Sequence, residues 1–203
     1  MKKTIQRIVQ ILFLGLFIFL LIRGKVQVWM GIFLLSLVLS LFFSRFYCGW
    51  ICPINTLLKP ITFLKKKFRV GSIKTPAFLK NGVLRILLLI AFLGLMVFTL
   101  RTGKQLPVLP ALVAIAVFLS LFFEEELWHH WLCPYGTILS LPSRAAKKRM
   151  VIDPDLCTNC GRCKRVCPSE AIVKDEKHRI IKNECLVCHE CERACTKGAI
   201  SYK

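Results

Sequence analysis

The sequence predicts an all-α membrane part of four transmembrane helices in two repeated hairpins, followed by a small α+β domain held by cysteine ligands. Three observations predict it. Four stretches are apolar over the length of a bilayer crossing, no acidic residue occurs before Glu124, and the last fifty residues carry one cysteine pattern twice.

A spanning helix needs about 20 apolar residues, with ~17 at the lower end. Ile5–Ile22, Val26–Phe43, Val83–Leu100 and Leu106–Phe123 qualify, and Arg7 and Arg85 lie near ends from which long side chains snorkel. The first stretch follows Lys2 and Lys3 as a signal peptide would. It lacks a small-residue cleavage site and runs into Arg23-Gly24-Lys25, so it is expected to be retained. Between Ser44 and Asn81 lie Arg45, Lys59, Lys65, Lys66, Lys67, Arg69, Lys74 and Lys80, against two basic residues in each of the connections Arg23–Lys25 and Arg101–Lys104. Positive residues stay inside, which puts the N-terminus, this loop and everything after Phe123 in the cytoplasm of a multi-pass inner-membrane protein. Trp29, Tyr47, Trp50 and Tyr135 fit an interfacial aromatic belt.

The membrane part repeats at an offset of 80 to 81: Leu39-Ser40-Leu41-Phe42-Phe43 recurs as Leu119-Ser120-Leu121-Phe122-Phe123, and Trp50-Ile51-Cys52-Pro53 as Trp131-Leu132-Cys133-Pro134. Duplicated membrane units commonly form their site between the halves. The first elbow is Cys48-x3-Cys52-Pro53; in the second, His129 stands where the first cysteine would. Histidine replaces cysteine on iron in some clusters, so Cys48, Cys52, His129 and Cys133 form a candidate third metal site. Small half-buried cysteines packing a helix elbow are the alternative.

The strongest motif is Cys157-x2-Cys160-x2-Cys163-x3-Cys167-Pro168, repeated 28 residues later as Cys185-x2-Cys188-x2-Cys191-x3-Cys195. Three close thiolates wrap one cubane while the fourth cysteine reaches the other. Cys157, Cys160, Cys163 and Cys195 are therefore expected on one [4Fe–4S] cluster, and Cys185, Cys188, Cys191 and Cys167 on a second. Disulfide scaffolds suit small secreted domains, and zinc leaves half of these cysteines at unusual spacing. Ala171-Ile172 and Ala199-Ile200 repeat with the same period as apolar lids, whereas Pro168 is matched by Thr196. With eight cysteines available as ligands, His178 and His189 are expected to be exposed loop residues. The expected domains are residues 1–143, a basic linker at 144–152, and 153–203.

A formal charge of +19 raises nucleic-acid binding as a possibility, but the excess flanks apolar runs and residues 147–203 carry only thirteen basic against eight acidic side chains. The partners expected are instead the lipid bilayer, the quinone pool and a protein redox partner, with no nucleic acid. No histidine lies inside a stretch, which argues against a membrane haem, and nucleotide and nucleophile-elbow motifs are lacking.

From about residue 150 the chain resembles the bacterial two-cluster ferredoxins. With its apolar stretches and Cys-Pro elbows it resembles, over nearly its whole length, the membrane polyferredoxins, including the NapH-type quinol dehydrogenase subunits. That resemblance implies a membrane-bound carrier exchanging electrons with quinone. Quinol oxidation releases protons, so Glu124, Glu125, Glu126 and His130 are candidate proton acceptors beside a quinone. Charged residues that merely end a span are the alternative. Two further functions compete: a cupric reductase or metal-site assembly factor using the elbow thiolates, and a redox-sensing regulator.

Overall fold

The computed structural model describes residues 2–68, 71–73, 75–102 and 107–203. Arg69, Lys74, Lys104 and Leu106, used above for topology or span limits, lie outside them. The helices are α1 (Lys2–Ile22), α2 (Gln27–Phe43), α3 (Phe46–Trp50), α4 (Pro53–Lys67), α5 (Gly82–Thr102), α6 (Val108–Phe122), α7 (Pro134–Ser143), α8 (Arg162–Arg165) and α9 (Glu190–Ala194). A 3-10 turn covers Ala77–Leu79 and a π-helix covers Leu127–Leu132. Four short strands follow: β1 (Met150–Ile152), β2 (Ile172–Lys174), β3 (His178–Ile180) and β4 (Ile200–Tyr202).

Among the described residues, α1 over Lys3–Ile22 and α5 over Gly82–Thr99 are long and apolar enough to cross a membrane. The apolar helices α2 and α6 are shorter, with 17 and 15 residues. Ser44 ends α2 because its backbone turns to a positive φ of 59°, which no helix continues through. Both α1 and α5 expose large aliphatic side chains, among them Ile11, Leu12, Ile22, Ile86, Leu87 and Ile90. Apolar surface on that scale calls for lipid or a partner.

The chain divides into two compact units, Met1–Thr56 with Leu139–Lys203, and Leu57–Ile138. The cysteine-rich segment therefore shares a unit with α1, α2 and α3 rather than forming a body of its own. Its two antiparallel pairs are β1–β4, with Val151 opposite Ser201, and β2–β3, with Val173 opposite Arg179. Met150, Ala171, Ile172 and Ile200 form its core together with Cys163, Cys185 and Cys191. Because β1 starts at Met150, the fold takes in the last three residues of the stretch expected to be linker. The end of α2 is closed by this segment: Lys148 N donates to Phe42 O (2.8 Å) and Tyr202 Oη to Phe43 O (3.1 Å). Carbonyls at a helix C-terminus lack partners within the helix and must find them elsewhere.

The rings expected in an aromatic belt are covered by protein. Trp29, Tyr47 and Tyr135 are buried, and Trp50 is half-buried. The Trp29 indole donates to the Tyr47 hydroxyl (2.8 Å) and meets Phe17 edge-on, so its polar atom is satisfied by protein instead of by the interface. In the unit Leu57–Ile138, Tyr135 packs edge-on against Phe92 of α5. There Lys65 Nζ reaches the carbonyls of Ser120 (3.0 Å) and Phe123 (3.1 Å), closing the end of α6.

In the first unit, Gly49 on α3 meets the loop before α9 backbone to backbone. A Cβ at Gly49 would fall 2.3 Å from Leu186 O and 2.8 Å from Val187 O. Both obstacles are main chain, so the loop itself must move. Gly49→Ala is expected to destabilise this unit by about 1–3 kcal/mol, the usual cost of overpacking. Thermal unfolding of the purified full-length protein in lipid nanodiscs checks it; an unchanged midpoint would contradict the close approach.

Candidate iron–sulfur site

The cysteine runs fold as two loops, each leading into a short helix. Left-handed residues shape both: Asn159 (φ 59°) and Gly161 (φ 72°) in the first, and Val187 (φ 53°) and His189 (φ 59°) at the equivalent positions of the second. Asparagine and glycine accept this conformation, whereas a β-branched valine does so at roughly 1–3 kcal/mol.

The loops line two cavities. One is bounded by Cys185, Cys188, Cys191 and Cys167, with Ala171 and Ile172 among its apolar walls. The other is bounded by Cys157, Cys160, Cys163 and Cys195, with Ala199 and Ile200. Each cavity thus gathers three cysteines of one run and the last cysteine of the other. Four thiolates are a donor set that fits an iron–sulfur cluster. Among the described residues, no three His, Cys, Asp or Glu side chains close around a single ion.

The cavities differ in exposure. Cys185, Cys188 and Cys191 are all buried, whereas Cys160 is exposed and Cys157 half-buried. Burial, with the neighbouring Cys188 and Cys167, pushes the Cys185 thiol up to about 12, and burial also raises Cys191. Cys160 is instead lowered, chiefly by the Arg162 backbone N–H. Ligation requires the thiolate, so metal binding at the buried set releases protons that folding alone retains.

His178 and His189 are buried, not exposed as the sequence suggested. His178 is fixed by β3, and His189 Nδ1 lies 2.6 Å from Glu192 while its ring meets Trp50 and Tyr202 edge-on. Small domains of this kind have little interior, and residues between the ligands occupy it.

The elbows share a local design, each within its own unit. Cys52 N donates to Tyr47 O (2.9 Å) and Cys133 N to Trp128 O (2.9 Å), both five residues back. Pro53 and Pro134 then begin new helices, where a missing N–H costs nothing. Thr56 and Thr137 close the turns by donating to the carbonyls of Cys52 and Cys133, each at 3.1 Å. Cys48, Cys52, His129 and Cys133 are all buried. Cys48 and Cys52 belong to the first unit, His129 and Cys133 to the second. The three glutamates and His130 are half-buried. Glu125 accepts from Thr62, and Glu126 pairs with Lys80 and accepts from Thr75, both at 3.2 Å.

Sequence reasoning missed the groups that clamp the second cysteine loop. Gln6 and Gln10, four apart on one face of α1, are buried and donate to Gly49 O at 3.0 and 2.8 Å. Gln6 also donates to Cys188 O (3.3 Å), as does Arg193 Nη2 (2.9 Å). Arg45, only 1% exposed, pairs with buried Glu184 (3.2 Å), and Trp50 Nε1 donates to Val187 O (3.2 Å). Two signals were available: glutamines at helical spacing in an apolar helix, and Leu186-Val187 where the first run has Thr158-Asn159.

Removing one partner of a buried ion pair leaves the other charge without compensation, at about 3–5 kcal/mol. Arg45→Met and Glu184→Met are each expected to cost that much, and the double variant clearly less than their sum. A double-mutant cycle on unfolding of the full-length protein measures it; additive losses would show that the pair is not coupled.

The family described as "4Fe-4S binding domain" matches residues 26–71 and 105–152, and that described as "4Fe-4S dicluster domain" matches residues 149–196. An uncharacterized protein of Methanocaldococcus jannaschii is 28% identical over 83% of this chain and 68% of its own length. The ferredoxin-type protein NapH of Haemophilus influenzae is 25% identical over 78% of this chain and 62% of its own. The methylamine utilization ferredoxin-type protein MauN of Methylobacillus flagellatus is 28% identical over 66% and 51%. No solved structure matches the chain. With its doubled cysteine loops and these relatives, the chain belongs to the NapH-type polyferredoxin family of iron–sulfur proteins.

Proposed function

We propose that this protein is a multi-pass membrane carrier that relays electrons between the quinone pool and a protein redox partner. Two [4Fe–4S] clusters are held by Cys157, Cys160, Cys163 and Cys195, and by Cys185, Cys188, Cys191 and Cys167. The observation that carries the reading is the pair of cavities, each lined by four cysteines drawn from both runs. When bound, each cluster supplies one-electron chemistry; the chain supplies ligands, burial and position.

Four spans carry the protein, with the N-terminus and the cysteine-rich segment on the cytoplasmic side. The apolar faces of α1 and α5 and the basic residues between α2 and α5 support this. The shorter α2 and α6 fit with local bilayer thinning. Glu124, Glu125, Glu126 and His130 take the protons that a quinol gives up with its electrons. Glu126 is already engaged by Lys80 and Thr75. A metal-binding role belongs to the elbow side chains, Cys48 and Cys52 in one unit and His129 and Cys133 in the other. That the "4Fe-4S binding domain" family matches once over each elbow supports it.

The test is anaerobic stopped-flow on the dithionite-reduced protein in lipid, with excess reductant removed. A menaquinone analogue is expected to reoxidise it rapidly, and Cys52→Ser with Cys133→Ser to slow this at least tenfold. Failure with quinone but elbow-dependent turnover with Cu(II) would replace the relay by metal reduction.

A further inference from the structure

The two cysteine runs are copies, so each position in one has a counterpart 28 residues on in the other, and differences between counterparts mark different surroundings. In the second run, Leu186 and Val187 are about 1% exposed, lying under Gly49, and Glu184 is buried against Arg45. In the first run the counterparts are exposed Thr158, half-buried Asn159 and Leu156, which is 52% exposed. Cys188 is buried where Cys160 is open. Charge follows the same division. Helix α8 carries exposed Arg162, Lys164 and Arg165 around Cys163, while in α9 Arg162 and Lys164 are matched by Glu190 and Glu192, and Arg165 by Arg193. Exposed Lys197 lines the same cavity as Arg162, and the acids near this loop include exposed Asp155, half-buried Asp153 and exposed Glu176, whose carbonyl accepts from Asn159 Nδ2 (3.0 Å).

We propose that the duplication is polarised. The Cys185–Cys191 run is closed by α1 and the Cys48–Cys52 elbow and is the membrane-side port. The Cys157–Cys163 run is the docking surface for a soluble one-electron carrier protein with an acidic face. Leu156 and Thr158 form its apolar and small centre, Arg162, Lys164, Arg165 and Lys197 its basic rim. A charged rim around an apolar contact steers encounter and sets orientation, and screening by salt weakens it. Each docking moves one electron, the carrier being reduced as iron on these thiolates is oxidised, or the reverse. This rests on the relay proposed above, and two readouts separate it from that relay.

The first is binding of an acidic flavodoxin to the full-length holoprotein in nanodiscs, by calorimetry at low salt. Arg162→Glu with Arg165→Glu is expected to weaken binding at least tenfold, Lys203→Glu to change it less than twofold, and added salt to weaken wild-type binding. Equal effects of the two charge reversals would overturn the docking surface. The second is iron release to the hydrophilic chelator bathophenanthroline disulfonate. Two phases are expected, with Trp50→Leu accelerating only the slower one; a single phase, or acceleration of the faster, would overturn the polarity. If quinone fails to reoxidise the protein while both results hold, the relay falls and the polarised duplication stands.

Discussion

The contact on which the first unit depends is the approach of the Gly49 backbone to the carbonyls of Leu186 and Val187. Main chain meets main chain there with no room for a side chain, and the surrounding polar groups serve that approach. Gln6 and Gln10 satisfy the Gly49 carbonyl, Gln6 and Arg193 the Cys188 carbonyl, and Trp50 the Val187 carbonyl. A buried carbonyl without a partner is costly, so these donors are as much a part of the contact as the glycine. The left-handed Val187 is held in place by the same packing, which offsets its backbone strain.

This contact converts a modular sequence into one compact unit. The cysteine-rich segment has too small an interior to be robust alone, and metal ligands with a neighbouring scaffold make up the difference. Its second loop is buried against α3, its strand β4 closes the end of α2 through Tyr202, and Arg45 neutralises Glu184 inside the join. Electron carriers gain from such rigidity, because burial and hydrogen bonding around the sulfurs set cluster potential.

The two elbows show how little sequence a recurring local structure needs. A cysteine N–H bonded five residues back, a proline starting the next helix and a threonine closing onto the cysteine carbonyl occur in both. Each part follows from backbone constraints, which accounts for the repeat of Trp, Cys, Pro and Thr at fixed spacing. The π-helix, a form that concentrates at functional sites, covers Leu127–Leu132, and buried Cys133 sits immediately after it.

The apolar helices, the elbows, and the threefold-plus-one division of the eight cysteines were all legible in the chain, because each depends on residues close in sequence or on a fixed period. The breaks at Ser44 and Cys-Pro were equally local. What tertiary structure decided was which surfaces the repeats face. Nothing within Leu186-Val187 or Gln6-x3-Gln10 names the other as a neighbour, and His189 is buried against Trp50, far away in the chain. Burial is a property of the space around a residue, and the chain supplies that space only when distant segments meet. A local pattern fixes where ligands stand relative to one another; which of two like-spaced loops is covered is settled where Gly49 lets two backbones touch.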